Sequence, residues 1–282
     1  MPDIPVINAS IVLHNNNYES IKSIVSTISH VEHLLHLYLI DNSLDDELKS
    51  LESLDKRIIY RHLSKNVGFG KAHNIALKKS IEDDVKYHVI LNPDISFEPE
   101  VVREIYDFME INSDVSVLMP RVLFRDGSLQ YLCKLLPTPF DLFARRFLGF
   151  GLLNGLVSKW NSEYELRFTT YHRLMNVPSL SGCFLFFRTA SLDKVGLFDP
   201  RYFMYMEDVD LTRRLHKYFK TMYFPDVEIY HDFERASYKN FNMLVHHTVS
   251  AIRYFNKWGW LFDEERRMVN KETVQQLKAT GA

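Results

Sequence analysis

V-I-N-A-S-I-V-L-H-N-N-N-Y-E-S-I-K-S-I-V-S-T-I-S-H-V-E-H-L-L-H-L-Y-L-I-D, residues 6–41, carries the pattern on which the fold turns. Val6–Leu13 is apolar and β-branched and reads as a strand. In Tyr18–Ile28, the residues Ile21, Ile24, Val25 and Ile28 recur at i, i+3, i+4 and i+7, one face of a helix. Leu37–Ile40 is a second strand that ends at Asp41. Working outward, Ile58–Arg61, Tyr87–Leu91 and Val115–Met119 read as strands, and Lys71–Ile81 and Glu98–Glu110 as helices. Strands alternating with helices predict βαβ units, an α/β class and a mostly parallel sheet.

The second half is less regular. Between Pro120 and about Asn176, Arg125-Asp126-Gly127-Ser128 is a hairpin signal, and Pro137-Thr138-Pro139 breaks the chain before an aromatic, basic run. Ser181–Arg188 reads as an apolar strand, Glu207–Phe219 as a helix, and Met222–Phe224 and Val227–Tyr230 as two short strands. Phe241, Leu244, Val245, Thr248, Ile252 and Phe255 mark one face of a long helix. No repeat or linker interrupts the chain, which predicts one domain with an elaborated second half.

Composition narrows the function classes. The chain has 282 residues, 46% hydrophobic and 25% charged, the usage of a packed globular protein. Thirty-four Lys and Arg against 36 Asp and Glu leave a charge of −2, unlike the basic excess of a polyanion binder, so nucleic acid is not an expected partner. The longest uncharged stretch, Ile4–Tyr18, is too short for a spanning helix. Met-Pro-Asp-Ile-Pro has no basic n-region and predicts no signal peptide. Cys133 and Cys183 lack metal-ligand spacing and read as reduced thiols. A cytoplasmic protein, soluble or peripheral on a membrane, is the expectation.

In open parallel sheets, ligands bind beyond the carboxyl ends of the strands, so polar residues there are the site candidates. His14 and Asn15 follow the first strand, Asp41 ends the second and Asn92-Pro93-Asp94 follows the fourth. Asp41 can accept hydrogen bonds from a base N–H or a ribose hydroxyl, but Asp41-Asn42-Ser43 is equally the composition of a turn and cap. Asn66–Asn74 is a glycine-containing loop opening a helix, a setting that attracts phosphate. Its near G-x-G-x-x-G pattern has His73 at the third glycine and follows the third strand, so a plain tight turn explains it as well. Asp94 offers a hard oxygen of the kind a divalent ion on a diphosphate needs, or a turn carboxylate, and His231 can complete such a site. Glu207-Asp208-Val209-Asp210 opens a helix, where acids suit the dipole. The same placement suits a general base if burial or the neighbouring acids offset the dipole's effect on its pKa.

Four pieces occur together and in order: N-V-G-F-G-K-A-H-N at 66–74, L-N-P-D at 91–94, S-G-C-F-L-F-F-R at 181–188 and G-L-F-D-P-R-Y-F-M-Y-M-E-D-V-D-L at 196–211. Over roughly residues 8 to 260 the chain resembles the family-2 glycosyltransferases of the GT-A fold. Within them it is similar to the rhamnosyltransferase-like enzymes of bacterial surface-polysaccharide and O-antigen synthesis. The resemblance implies a Rossmann-like, mostly parallel sheet flanked by helices. Residues 1–120 would be its nucleotide-sugar half, 121–235 the acceptor-side and catalytic half of the same domain, and 236–282 a C-terminal helical segment.

By resemblance, Asp41 meets the nucleotide base, with His14 and Asn15 lining the same pocket. Asn66, Gly68 and Asn74 lie near the nucleotide and diphosphate, and Asn92 stands where the family's D-x-D motif has its first aspartate. Asp94 and His231 hold Mg2+ or Mn2+, and Asp208 is the base. Ser181, Gly182, Arg201, Tyr202 and Glu207 shape the acceptor side. The implied reaction is an inverting single displacement from a nucleoside-diphosphate sugar. The branch points to dTDP-rhamnose, with UDP-sugars as the other candidates, and to a saccharide acceptor linked to undecaprenol at the inner face of the cytoplasmic membrane.

Two stretches fit that setting. Arg235–Trp260 carries Arg235, Lys239, Arg253 and Lys257 with several aromatics and no acid, and Leu142–Trp160 carries Arg145, Arg146 and Lys159. Both read either as surfaces lying on an anionic membrane or as helices packed on the sheet with solvated cations. Two other readings compete. A nucleotide-cofactor oxidoreductase needs a glycine at 73 and a motif after strand one, and the chain has neither. A non-catalytic sugar-nucleotide-binding or partner-binding protein would be favoured by loss of Asp94 or Asp208, and both are present.

Overall fold

The computed structural model of the chain describes residues 6–142, 160–232 and 241–279. Strands β1 (Ile7–Leu13), β2 (Leu34–Asp41), β3 (Ile58–His62) and β4 (Tyr87–Leu91) alternate with α1 (Tyr18–Ser29), a 3-10 segment (Glu47–Leu54) and α2 (Phe69–Glu82). The strands pair in parallel, in the spatial order β3-β2-β1-β4. Every residue of β1 and β4 is buried, as strands covered on both faces must be. α1 buries the predicted Ile21, Ile24, Val25 and Ile28, and Asn17 caps it by accepting from the Glu19 N–H.

The second half adds β5 (Ile95–Ser96), α3 (Glu100–Ile111), β6 (Val115–Leu123), β7 (Met175–Asn176), β8 (Phe184–Arg188), α4 (Thr189–Val195), α5 (Glu207–His216) and β9 (Lys220–His231). β8 inserts antiparallel between β4 and β6, β9 runs parallel to β6, and β5 and β7 run against β9. Among the described residues one nine-stranded sheet therefore joins both sides of position 120, which falls inside β6. The two short strands predicted at 222–230 are one strand. Phe224 faces Pro120 while Glu228 faces Arg121, so Pro225–Val227 form a bulge, where a proline without an N–H is tolerated.

Helices α6 (Phe241–Trp258) and α7 (Glu264–Ala279) close the chain. The face predicted for α6 is corrected: it buries Ser250, Ala251, Tyr254 and Phe255, while Phe241 is 76% exposed. Small residues at 250 and 251 let the helix approach Tyr202 and Met206, and the Ser250 hydroxyl donates to the Met204 carbonyl. The helix packs as in the second of the two readings, but two of its cations bond within the protein where that reading had left them solvated. Arg253 donates to the Arg201 carbonyl, and Lys257 pairs with Asp199 (3.0 Å) and Asp210 (2.6 Å). Arg145, Arg146, Lys159, Arg235 and Lys239 lie outside the described residues. No helix among the described residues is long and apolar enough to cross a membrane.

Two polar assemblies hold layers together. Buried Arg213 of α5 makes two 2.8 Å bonds to Asp263 and lies 4.0 Å from the Trp258 ring centre, fastening the C-terminal helices to α5. Between α2 and the sheet runs a wholly buried chain, Asn8–Ser80–His88–Ser10–His73, each link 2.7–2.8 Å. His73, at the near-fingerprint's third glycine position, is thus a core histidine.

Candidate active site

The ends of β4 and β9 and the start of α5 meet at a cavity of about 440 Å3. It gathers Asn92, Asp94, Ser181, Gly182, Glu207, Asp208 and His231 from the predicted set. β5 pairs antiparallel with β9, setting Ile95 opposite His231, and the Asp232 N–H donates to the Asp94 carbonyl at 2.9 Å. This pairing brings His231 Nε2 to 3.3 Å from Asp94 Oδ1 and 3.4 Å from Asn92 Nδ2. His231 is buried and Asp94 is exposed. Among the described residues no group of three His, Cys, Asp or Glu side chains forms a metal cluster. The Asp94 oxygen and the His231 nitrogen do fit an ion that draws its remaining ligands from substrate phosphate, as Mg2+ commonly does.

Opposite them, Asp208 is held from two sides. Its Oδ2 accepts from the Gly182 N–H (3.0 Å) and its Oδ1 from the Val209 N–H (2.8 Å). A Cβ at Gly182 would stand 3.4 Å from the Asp208 Cβ and 3.3 Å from the Phe69 ring, so this approach suits glycine. Glu207 beside it is 4% exposed. Burial, and then the Asp208 charge, push the Glu207 carboxyl up to about 8. Tyr205 and Met206, just before the pair, have φ of 68° and 66°, a left-handed turn that costs roughly 1–2 kcal/mol per residue.

The remaining predicted residues do not line this cavity. His14 and Asn15 are exposed at the end of β1. Asp41 is fully buried and accepts from the Ser43 N–H (2.8 Å) and the Tyr60 hydroxyl (2.6 Å), the turn role left open above. Asn66 accepts from the Gly68 N–H. Gly68 has φ +91°, and a Cβ there would lie 2.2 Å from the Phe203 carbonyl oxygen. Asn74 clamps Phe198, donating to its carbonyl (2.7 Å) and accepting from its N–H (3.0 Å). The 66–74 loop thus grips the 198–203 segment. Tyr202 is enclosed by Met206, Tyr254 and Phe255, because its ring fills the seam under α6, and Arg201 pairs with Asp199.

Sequence reading missed three residues at this site. Lys134 and His247 line the cavity, from the irregular region and from α6. Gln130 sits behind His231, its Oε1 3.1 Å from the imidazole Nδ1. The hairpin signal at 125–128 marks the turn that delivers Gln130, but nothing in the sequence pairs it with a histidine on β9.

Comparison with known proteins agrees with this architecture. The model of the family "Glycosyl transferase family 2" matches residues 10–196. A Haloferax volcanii protein described as a low-salt glycan biosynthesis hexosyltransferase, Agl10, is 26% identical over 71% of this chain and 60% of its own. A Mycobacterium tuberculosis N-acetylglucosaminyl-diphospho-decaprenol L-rhamnosyltransferase is 31% identical over 59% of this chain and 56% of its own. The chain thus matches less than two thirds of the length of each. Among solved structures, the mannosyltransferase PcManGT of Pyrobaculum calidifontis, in complex with GDP-Man and Mn2+, superposes with a TM-score of 0.57 at 14% identity, over 99% of this chain and 76% of its own. GalNAc-T7 with UDP, GalNAc and Mn2+ gives 0.59 at 12% identity, over 80% of this chain and 42% of its own. The fold is the α/β GT-A fold that the motifs implied.

Proposed function

The chain belongs to glycosyl transferase family 2, and from that premise we propose that it moves a sugar from a nucleoside diphosphate to a hydroxyl of a saccharide acceptor, with inversion. The observation that carries this reading is the meeting, at one cavity, of a rigidly held carboxylate, Asp208, with the Asp94–His231 pair. Asp208 takes the proton of the attacking hydroxyl, a role typically worth ~10²–10⁴-fold. The Gly182 and Val209 N–H groups hold its two oxygens, so the base meets the acceptor in one orientation. Asp94 and His231, with Asn92 beside them, would hold Mg2+ or Mn2+, which when bound offsets the charge growing on the departing diphosphate. Ser181, Gly182 and Glu207 shape the acceptor side of the cavity. His14, Asn15 and Asp41 lie at the ends of β1 and β2, where the nucleotide is proposed to sit.

The named decaprenol L-rhamnosyltransferase supports rhamnose as the transferred sugar and a polyprenol-linked acceptor; the donor we propose is dTDP-rhamnose, with a UDP-sugar as the alternative. Peripheral contact with an anionic membrane is part of the same proposal. Phe241, Val245, Val249 and Ile252 are exposed along one stripe of α6, the helix that also brings His247 to the cavity.

Asp208→Asn is expected to keep nucleotide binding and lose transfer by ~10²–10⁴-fold; transfer within about tenfold of wild type would remove the base assignment. A thermal-shift panel of dTDP, UDP and GDP, each with and without Mn2+, identifies the donor base. A ligand at ~100 times its Kd adds about 2.7 kcal/mol, or roughly 5–10 °C for a chain of this size. No shift with any nucleotide would favour a protein that binds a partner without turnover.

A further inference from the structure

We propose that Gln130 is a positioning residue that locks His231 in the Nδ1–H tautomer and so presents its Nε2 lone pair beside Asp94 as a metal ligand. The proposal rests on the metal reading given above and deepens it.

The argument begins with the amide of Gln130. This side chain is 4% exposed. Its Nε2 lies 2.8 Å from the His231 carbonyl and 3.3 Å from the Leu123 carbonyl. Carbonyl oxygens only accept, so the end of the amide that faces two of them must be the NH2 group, whatever atom labels it carries. The other end, Oε1, then faces His231 Nδ1 at 3.1 Å and can only accept. Nδ1 therefore holds the proton. In neutral imidazole that leaves Nε2 with the lone pair.

Nε2 is the atom facing the cavity. It lies 3.3 Å from an Asp94 carboxylate oxygen, and the Asn92 NH2 at 3.4 Å is placed to donate to it. Two electron-rich atoms at that spacing, one nitrogen and one oxygen, make a pair that a divalent cation can use. A histidine ligand whose far nitrogen is held by a buried acceptor is a common device for fixing both tautomer and ring orientation.

The backbone around Gln130 is built to hold it there. The turn at 125–128 closes with Phe124 N–H donating to the Ser128 carbonyl, and Gly127 takes φ +80°. The chain then folds back on β6, where the Gln130 N–H donates to the Val122 carbonyl at 2.9 Å. Arg125, from the same turn, forms a two-pronged ion pair with Asp232, next to His231. One hairpin thus grips the end of β9 at two successive residues.

The test uses Gln130→Met, which keeps length and loses both hydrogen-bonding ends, and Gln130→Glu, which keeps an acceptor toward Nδ1. The first readout is the 15N spectrum of the His231 ring in the metal-free protein. The second is Mn2+ affinity, followed by Mn2+ EPR with dTDP or UDP present. Wild type is expected to show protonated Nδ1 and bare Nε2. Gln130→Met should mix the tautomers and weaken Mn2+ binding by about 10–100-fold, and Gln130→Glu should restore the Nδ1 proton. A His231 ring that carries a proton on Nε2 in wild type, alone or together with Nδ1 as an imidazolium paired with Asp94, overturns the proposal and leaves the metal reading standing. So does unchanged Mn2+ affinity in a folded Gln130→Met. If wild type shows the expected tautomer but binds no Mn2+ with either nucleotide, the metal reading falls, and the proposal with it.

Discussion

At the scale of single residues, Glu207, which opens α5, is held toward its neutral form by its surroundings. Glu207 titrates near 8 in the folded protein, against about 4.5 for an ordinary glutamate, because burial and then Asp208 disfavour its charge. The folded state therefore binds this proton more tightly than the unfolded chain does. Its stabilising effect is complete below about pH 4.5 and declines as the pH rises through 8. Glu207→Gln, neutral throughout, should flatten the fall in Tm between pH 5 and 9; an equal fall in both proteins would mean that Glu207 is already ionised. At Gly68, both the left-handed φ and the 2.2 Å approach to the Phe203 oxygen forbid a side chain. Gly68→Ala is expected to cost at least about 2 kcal/mol by denaturant titration. Asp94, Asp208 and His231 could be picked out beforehand because acids and histidines at strand and helix ends are visible one at a time. Gln130 could not, since its meaning lies in a hydrogen bond to a residue distant in sequence.

Among elements, the contact between α2 and the sheet is polar at its centre. Burial holds His88 near 3, and burial with His88 beside it holds His73 well below the usual range. Their folded values are depressed below 6.5, so the stability they contribute is present above pH 6.5 and is lost as the pH falls toward 3. Tm should drop in that window, and less steeply in His88→Gln; an identical slope would place the acid sensitivity elsewhere. The seam between α5 and the C-terminal helices depends on buried Arg213 and Asp263, 2% and 3% exposed. Arg213→Met leaves a carboxylate buried without its partner and should cost about 3–5 kcal/mol, while Arg213→Met with Asp263→Leu should recover most of that. β1 to β4 and α1 to α3 were readable because the strands are continuous apolar runs and the helices bury one regular face, whereas the 3-10 segment at Glu47–Leu54 and the two-residue β5 are too short or irregular to leave such a pattern. α6 was readable as a helix but its buried face was not, because apolar residues lie on two of its faces and only tertiary packing selects the one with Ser250 and Ala251. β9 was read as two strands because Pro225 breaks the alternation without breaking the strand.

For the whole molecule, the order of strands in space departs from their order along the chain at several places, and the decisive one is beside β4. β4 has β1 on one side, but its other neighbour is β8, with Leu91 facing Phe184 and Tyr87 facing Arg188. During synthesis, that second neighbour leaves the ribosome about ninety residues after β4, roughly 5–20 s later at ~5–20 residues per second. Throughout that interval an apolar strand destined for the centre of the sheet has an open edge. A fragment ending at residue 120 is accordingly expected to aggregate; a soluble monomer with a cooperative melt would refute this. Yield of the intact chain should then respond to the pace of translation across residues 92–188 more than to its pace elsewhere, because every pause there prolongs the time that β4 waits for its partner.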